Sequence, residues 1–170
     1  DTASTLRVAA VQHGLDHSER HQLRLLGPER YRAQVLAQTR RLLEAGRRVG
    51  RPVDLVVWPE GALGGPINPD DERPAKALGG RSLKQFFSEL SDEHDFHFLI
   101  GGGTINFHDE LDEDGFPTYT AYNSCYLFDD GGEITGRYDK MVPLPFGEYI
   151  PFAETFPILR KWIKGPGNFR

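Results

Sequence analysis

Two short apolar runs separated by one helical segment set the strongest limit on how this chain folds. The first, residues 6–12 (Leu-Arg-Val-Ala-Ala-Val-Gln), is rich in small and β-branched residues, as expected of a strand covered on both faces. A helix is predicted from Pro28, a favoured first helical residue, to about Arg48. Tyr31, Val35, Leu42 and Val49 recur at near-helical spacing, and the arginines and glutamines between them are expected to face water. Gly50 and Pro52 end the helix, and residues 54–58 form the next strand. A β-α-β order of this kind implies parallel pairing through a crossover helix.

The rest of the chain extends the pattern. Residues 61–80 are rich in Gly, Pro and Asp and read as a long loop, of a length that compact domains keep for function or mobility. Ser82 opens a second helix with Leu83, Phe86, Phe87 and Leu90 as its buried stripe. Residues 96–106 follow as a strand that includes Gly101-Gly102-Gly103. Beyond an acidic loop at 109–114, residues 119–129 and 134–139 read as antiparallel strands joined at Asp130-Gly131-Gly132, a strong hairpin signal. The predicted order is β-α-β-α-β-β-β, an α/β class without internal repeats. From Pro143 onward, five prolines in 24 residues predict an irregular segment with one short helix near 158–163.

A chain of 170 residues is one domain or most of one, long enough to bury a sizeable core. Hydrophobic residues at 38% and charged residues at 26% argue against both a disordered and a membrane-spanning class. The chain opens Asp1-Thr-Ala-Ser with no initiator Met and no signal-like segment, so it reads as a piece of a longer protein. A net charge of -5 argues against nucleic acid as a partner. A single cysteine leaves the redox compartment unread.

The chemistry-bearing residues are Glu60, Lys140 and Glu148. In Val56-Val-Trp-Pro-Glu60 a buried-strand pattern stops at Pro59 and leaves a carboxylate at the strand end, where α/β folds place their active sites. Its bland reading is a solvated acid; a glutamate buried there could accept a thiol proton near neutral pH. Lys140 ends a strand and leads into a proline-bounded turn, so its ammonium is held in place to stabilise an oxyanion or a thiolate. The alternative is an exposed edge lysine. Glu148 follows Gly147, whose backbone freedom could aim the carboxylate inward, or it could bond local backbone only. Cys125 lies inside a strand-like run and reads as a sheltered, inert thiol. The glycine triple lacks phosphate-loop spacing and is better explained by close backbone packing. No histidine spacing suggests a metal site, and the acidic loop lacks the pattern of a calcium hand. Phe156, Leu159, Trp162 and Ile163, interleaved with Arg160, Lys161 and Lys164, read by default as edge packing, with a membrane interface as the alternative.

Trp58-Pro-Glu60, then Tyr138-Asp-Lys140, then Pro145-Phe-Gly-Glu-Tyr-Ile-Pro-Phe152 resemble the carbon-nitrogen hydrolase (nitrilase) superfamily, and within it the periplasmic domain of the apolipoprotein N-acyltransferases. The resemblance runs from about Leu6 onward, with its specific motifs at 56–63 and 137–152. It implies an α-β-β-α sandwich of the nitrilase type, incomplete at its C-terminal end, with residues 1–170 as the first part of the domain. It further implies Glu60 as general base, Lys140 as stabiliser of oxyanion and thiolate, Glu148 as a further essential carboxylate, and a nucleophilic cysteine beyond Arg170. The implied reaction moves an acyl chain from a phospholipid donor to the N-terminal cysteine of a lipoprotein acceptor, through a thioester and without metal or organic cofactor. The implied setting is the bacterial inner membrane, with membrane contact through the parent protein and this domain on the periplasmic side. The alternatives are an amidase of the same superfamily and a catalytically dead binding domain.

Overall fold

In the computed structural model the described residues are 5–12, 28–63, 65–68, 82–91, 95–112, 114–142, 144–145, 149–153, 155–156 and 158–159. The elements are β1 (Val8–Ala10), α1 (Pro28–Arg48), β2 (Leu55–Trp58), α2 (Leu83–Ser91), β3 (His97–Leu111), β4 (Pro117–Phe128) and β5 (Ile134–Asp139). Their order is the one expected from the sequence. They form one five-stranded sheet in the order β1-β2-β3-β4-β5. The β1–β2 and β2–β3 pairs are parallel, as the crossover helices require, and β3–β4 and β4–β5 are antiparallel.

Alternation along the strands sends one set of side chains towards the helices: Val56 and Trp58 from β2, Phe98 and Ile100 from β3, Tyr126 and Phe128 from β4. Phe87 of α2 fills the centre of that layer, with ring centroids 4.3 Å from Phe128 and 5.0 Å from Phe98. Trp58 packs edge-on to Phe98 at 5.5 Å, and its indole Nε1 donates to Thr39 Oγ1 of α1 at 2.9 Å. Both helices therefore cover the same face. Ser82 caps α2 reciprocally: its Oγ accepts from Gln85 N at 3.2 Å, while Gln85 Oε1 accepts from Ser82 N at 3.1 Å.

The opposite face carries Val57, Leu99, Cys125 and Leu127, all half-buried. The described residues thus make one helix-on-sheet half of the α/β sandwich. For the same reason β1, expected to be covered on both faces, is covered on one, and Val8 is 52% exposed. The buried stripe of α1 also differs from the apolar spacing. Arg32, Val35, Thr39 and Leu43 face the core, while Leu42 and Val49 are exposed. Two polar residues can line the stripe because each finds an acceptor. Arg32 Nη2 donates to Leu63 O at 2.9 Å, and Thr39 Oγ1 donates to Val35 O at 2.9 Å.

β3 and β4 run past the other strands as a long hairpin whose ladder resumes at Leu111↔Pro117 after an irregularity. The acidic stretch expected to be loop is therefore strand through Leu111. Its residues are exposed, so no hydrophobic period marks them. Asp112 Oδ1 accepts backbone bonds from Asp114 and Phe116, a local cap on the hairpin end. Among the described residues no helix is long and apolar enough to cross a membrane. The short helix expected near 158–163 lies outside the described residues apart from Ile158 and Leu159.

Candidate active site

The C-terminal ends of β2 and β5 lie at the same end of the sheet, because β5 runs antiparallel to β4 and hence parallel to β2 and β3. Glu60 stands two residues past β2 and Lys140 one residue past β5. Two strands, β3 and β4, separate them, and at about 4.8 Å per strand a carboxylate on β2 does not ordinarily meet a side chain of β4. Here it does. Asn123 Nδ2 of β4 donates to Glu60 Oε1 at 3.4 Å.

Gly101 of β3 makes the crossing possible. A Cβ on Gly101 would lie 3.2 Å from Glu60 Cα and 3.4 Å from Glu60 N, so the backbone of Glu60 rests directly on β3 where a side chain would otherwise stand. Gly61 N donates to Gly101 O at 3.2 Å and holds the chain there. Gly103, opposite Asn123, presents no side chain on the same face. Of the glycine triple, Gly101 serves the close backbone packing expected; a Cβ at Gly102 would instead meet the Ile67 side chain at 2.7 Å, and one at Gly103 would meet nothing nearer than 3.9 Å.

Asn123 also meets Lys140. Lys140 N donates to Asn123 O at 2.8 Å, extending the β4–β5 ladder by one rung beyond Ser124↔Asp139. One residue of β4 therefore holds the Glu60 carboxylate with its side chain and the Lys140 backbone with its carbonyl. The lysine side chain is half-buried. The register places Lys140, Asn123, Gly101, Gly103 and Cys125 on the face turned away from the helices. Sequence reasoning missed Asn123: only the pairing register reveals that it stands between the other two.

Glu60 is exposed, so the burial expected of it is not supplied by the described residues. The described part of the following loop is firmly seated. Ala62, Leu63 and Ile67 are buried, Ile67 N donates to Gly103 O at 2.7 Å, and Ile105 N donates to Asn68 Oδ1 at 3.2 Å. Of the expected loop at 61–80, position 64 and positions 69–80 lie outside the described residues. Glu148 and its neighbours Phe146 and Gly147 also lie outside them, while Pro145 and Tyr149 on either side form an isolated β-bridge.

Cys125 lies two residues along β4 from Asn123, half-buried rather than fully sheltered. Burial raises its thiol above the ordinary cysteine value, and a backbone hydrogen bond at Tyr126 offsets this only in part. The thiol form is favoured, which is the wrong direction for a nucleophile.

The carbon-nitrogen hydrolase family matches this chain over residues 7–157, and the chain belongs to that family of enzymes. Among its relatives are the apolipoprotein N-acyltransferase of Geobacter metallireducens, 29% identical over 164 residues, and that of Agrobacterium fabrum, 33% identical over 176 residues. These alignments cover 96% and 98% of this chain but 27% and 28% of the relatives, so the chain spans little more than a quarter of their length. A carbon-nitrogen hydrolase from Helicobacter pylori G27 superposes with a TM-score of 0.43 at 17% identity, covering 95% of this chain and 44% of that one. At that score nothing about the site follows from it.

Proposed function

We propose that this chain is the base-and-lysine part of an N-acyltransferase that moves an acyl chain from a phospholipid to the N-terminal cysteine of a lipoprotein through a cysteine thioester. The observation that carries the proposal is the joining of Glu60 and Lys140 by Asn123, at 3.4 Å to the carboxylate and 2.8 Å to the lysine backbone. The names of the relatives supply the acyl-transfer class.

In this reading Glu60 takes the proton of a cysteine thiol, and the thiolate attacks the ester carbonyl of the donor. Negative charge develops on the carbonyl oxygen, and the Lys140 ammonium stabilises it. Collapse expels the lysophospholipid alkoxide, which recovers the proton from Glu60, and leaves a thioester. The acceptor's α-amino group then attacks that thioester and loses its proton to Glu60. The thiolate departs, and an amide remains. By the resemblance, Glu148 is a further essential carboxylate of this reaction. The nucleophile is a cysteine of the longer protein rather than Cys125, whose raised value leaves it a poor attacker. No metal or organic cofactor enters the scheme.

The segment after Lys140 supports a lipid donor and contact with a membrane surface; the setting proposed with it, from the resemblance alone, is the bacterial inner membrane with this domain on its periplasmic side. Met141, Val142, Leu144, Phe152, Phe156 and Ile158 are all more than half exposed. Phe152 adopts a φ of 62°, uncommon for a non-glycine residue, and Phe156 N donates to its carbonyl at 2.8 Å. Phe152 is 74% exposed. Exposed apolar residues repeated along one stretch of sequence suit a binding or membrane-contact surface.

The test is to incubate full-length protein with phospholipid and look for a thioester-linked acyl-enzyme by intact-mass spectrometry. The acyl-enzyme is expected to accumulate and to discharge when a diacylated lipopeptide is added. Rapid hydrolysis of small amides, with no acyl-enzyme formed from phospholipid, would overturn the proposal in favour of an amidase.

A further inference from the structure

Directly behind Asn123 and Lys140, on the helix-covered face of the sheet, runs a line of polar side chains that the chemistry above does not use. The Tyr126 hydroxyl donates to Ile67 O at 3.2 Å and bonds the Thr104 hydroxyl. Thr104 Oγ1 lies 2.8 Å from Ser124 Oγ, and Ser124 Oγ donates to Asp139 Oδ1 at 2.6 Å. Arg137 Nε donates to the same carboxylate oxygen at 2.8 Å, and its guanidinium lies over the rings of Tyr122 and Tyr126 at 5.6 and 5.7 Å. Thr104, Ser124 and Tyr126 are buried.

Buried hydroxyls beside a carboxylate gain little stability over apolar residues of the same shape, because desolvation offsets most of what their hydrogen bonds contribute. What they add is directional constraint, so the ends of the line matter. One end is Ile67, in the seated loop that leaves Glu60. The other is Asp139, the residue before Lys140. Because strand side chains alternate, Ser124 lies beneath Asn123 and Asp139 beneath Lys140, and the two pairs are adjacent rungs of the β4–β5 ladder. These are the last rungs, where a ladder would otherwise fray.

We infer that Ser124 and Asp139 are positioning residues for Lys140: their hydrogen bond closes the final rung of β5 and sets where the ammonium leaves the sheet relative to Glu60. Thr104 and Tyr126 extend the same line of hydroxyls towards Ile67 O in the loop after Glu60; three hydroxyl protons serve its four contacts, so Tyr126 shares its proton between Thr104 and Ile67 O and the hold on that loop is the weaker one. This inference rests on the reading of Lys140 as catalytic. Arg137, exposed on β5, completes the clamp by holding Asp139 ionised.

The experiment measures single-turnover acyl-enzyme formation from phospholipid by the full-length protein, across donor concentrations, with Ser124→Ala, Ser124→Thr, Asp139→Asn and Lys140→Ala, each checked for folding by its melting transition. A lysine displaced by a fraction of an ångström lowers the maximal rate by about tenfold at an unchanged half-saturating donor concentration. That is expected for Ser124→Ala, with a smaller loss for Asp139→Asn. Ser124→Thr, which restores the hydroxyl, is expected to recover most of the rate. Should Ser124→Ala not fold, the half-exposed Asp139→Asn and the Thr rescue carry the test. Folded Ser124→Ala and Asp139→Asn with the unmodified maximal rate, a loss confined to donor affinity, or no rescue by Thr would overturn the inference while Lys140→Ala remains inactive. A fully active Lys140→Ala would instead bring down both the inference and the catalytic reading beneath it.

Discussion

Placing a single methyl group on Gly101 tests how Glu60 reaches its partner. In Gly101→Ala the new Cβ meets Glu60 Cα at 3.2 Å and Glu60 N at 3.4 Å, tighter than nearly all real contacts, and both neighbours are backbone. Backbone cannot rotate away, so Glu60 must move off β3 by a few tenths of an ångström. The Asn123–Glu60 contact is already long at 3.4 Å, and that displacement takes it out of hydrogen-bonding range. Overpacking of this kind costs about 1–3 kcal/mol of stability. Since a misplacement of about 1 Å can cost ~100-fold in rate, a shift of this size should slow acyl-enzyme formation by about tenfold. Gly103→Ala is the control: its nearest neighbour, Tyr122 O, would be 3.9 Å away, an ordinary contact. There the loss of glycine freedom in the unfolded chain should stabilise by about 0.4–1 kcal/mol. The assay pairs denaturant unfolding with acyl-enzyme formation for both variants in the full-length protein. Equal damage from the two substitutions, or full activity in Gly101→Ala, would refute the crossing of β3 as the means by which Glu60 is placed.

Three further outcomes are expected. Cys125→Ser should leave turnover close to that of the unmodified enzyme, and a loss matching that of Lys140→Ala would make Cys125 the nucleophile after all. Thr39→Val removes the acceptor of the buried Trp58 Nε1 and should cost about 1–3 kcal/mol, read as a lower urea midpoint at constant slope; an unmoved midpoint contradicts it. The third concerns Asp139, whose burial acts to raise its carboxyl, but whose hydrogen bonds from Arg137 and Ser124, with the Arg137 charge, hold it below the ordinary carboxylate range. A depressed folded-state value means that its stabilisation is complete above that range and is lost as pH falls through the depressed value. Arg137→Gln should therefore move acid unfolding to higher pH, and an acid transition left in place would show that the pair contributes nothing.

The order of elements was legible because each left a local mark: β-branched runs at β1 and β2, the Ser82 cap, and the Asp130-Gly131-Gly132 turn. Glu60 and Lys140 were legible as strand-end residues for the same reason. What stayed hidden depends on partners distant in sequence. Arg32 and Thr39 look like solvent-facing positions until Leu63 O and Trp58 Nε1 are placed against them. Asn123 looks like any polar strand residue until the register sets it opposite Gly103 and beside Lys140. The hairpin beyond Asn106 was read as loop because exposed strands have no buried side to impose a period of two. The sheltering expected for Glu60 failed because the described residues cover only one face of the sheet, and the carboxylate sits on the other.

The central claim is that Glu60 and Lys140 act as one site. A double-substitution cycle tests it most directly: acyl-enzyme formation from phospholipid is measured for the full-length protein, Glu60→Gln, Lys140→Ala and the two together. Residues of a single catalytic unit are strongly non-additive, so each single change should abolish most of the rate and the pair should be little worse than either alone. Independent, multiplying losses, or a single variant that keeps the full rate, would contradict the claim.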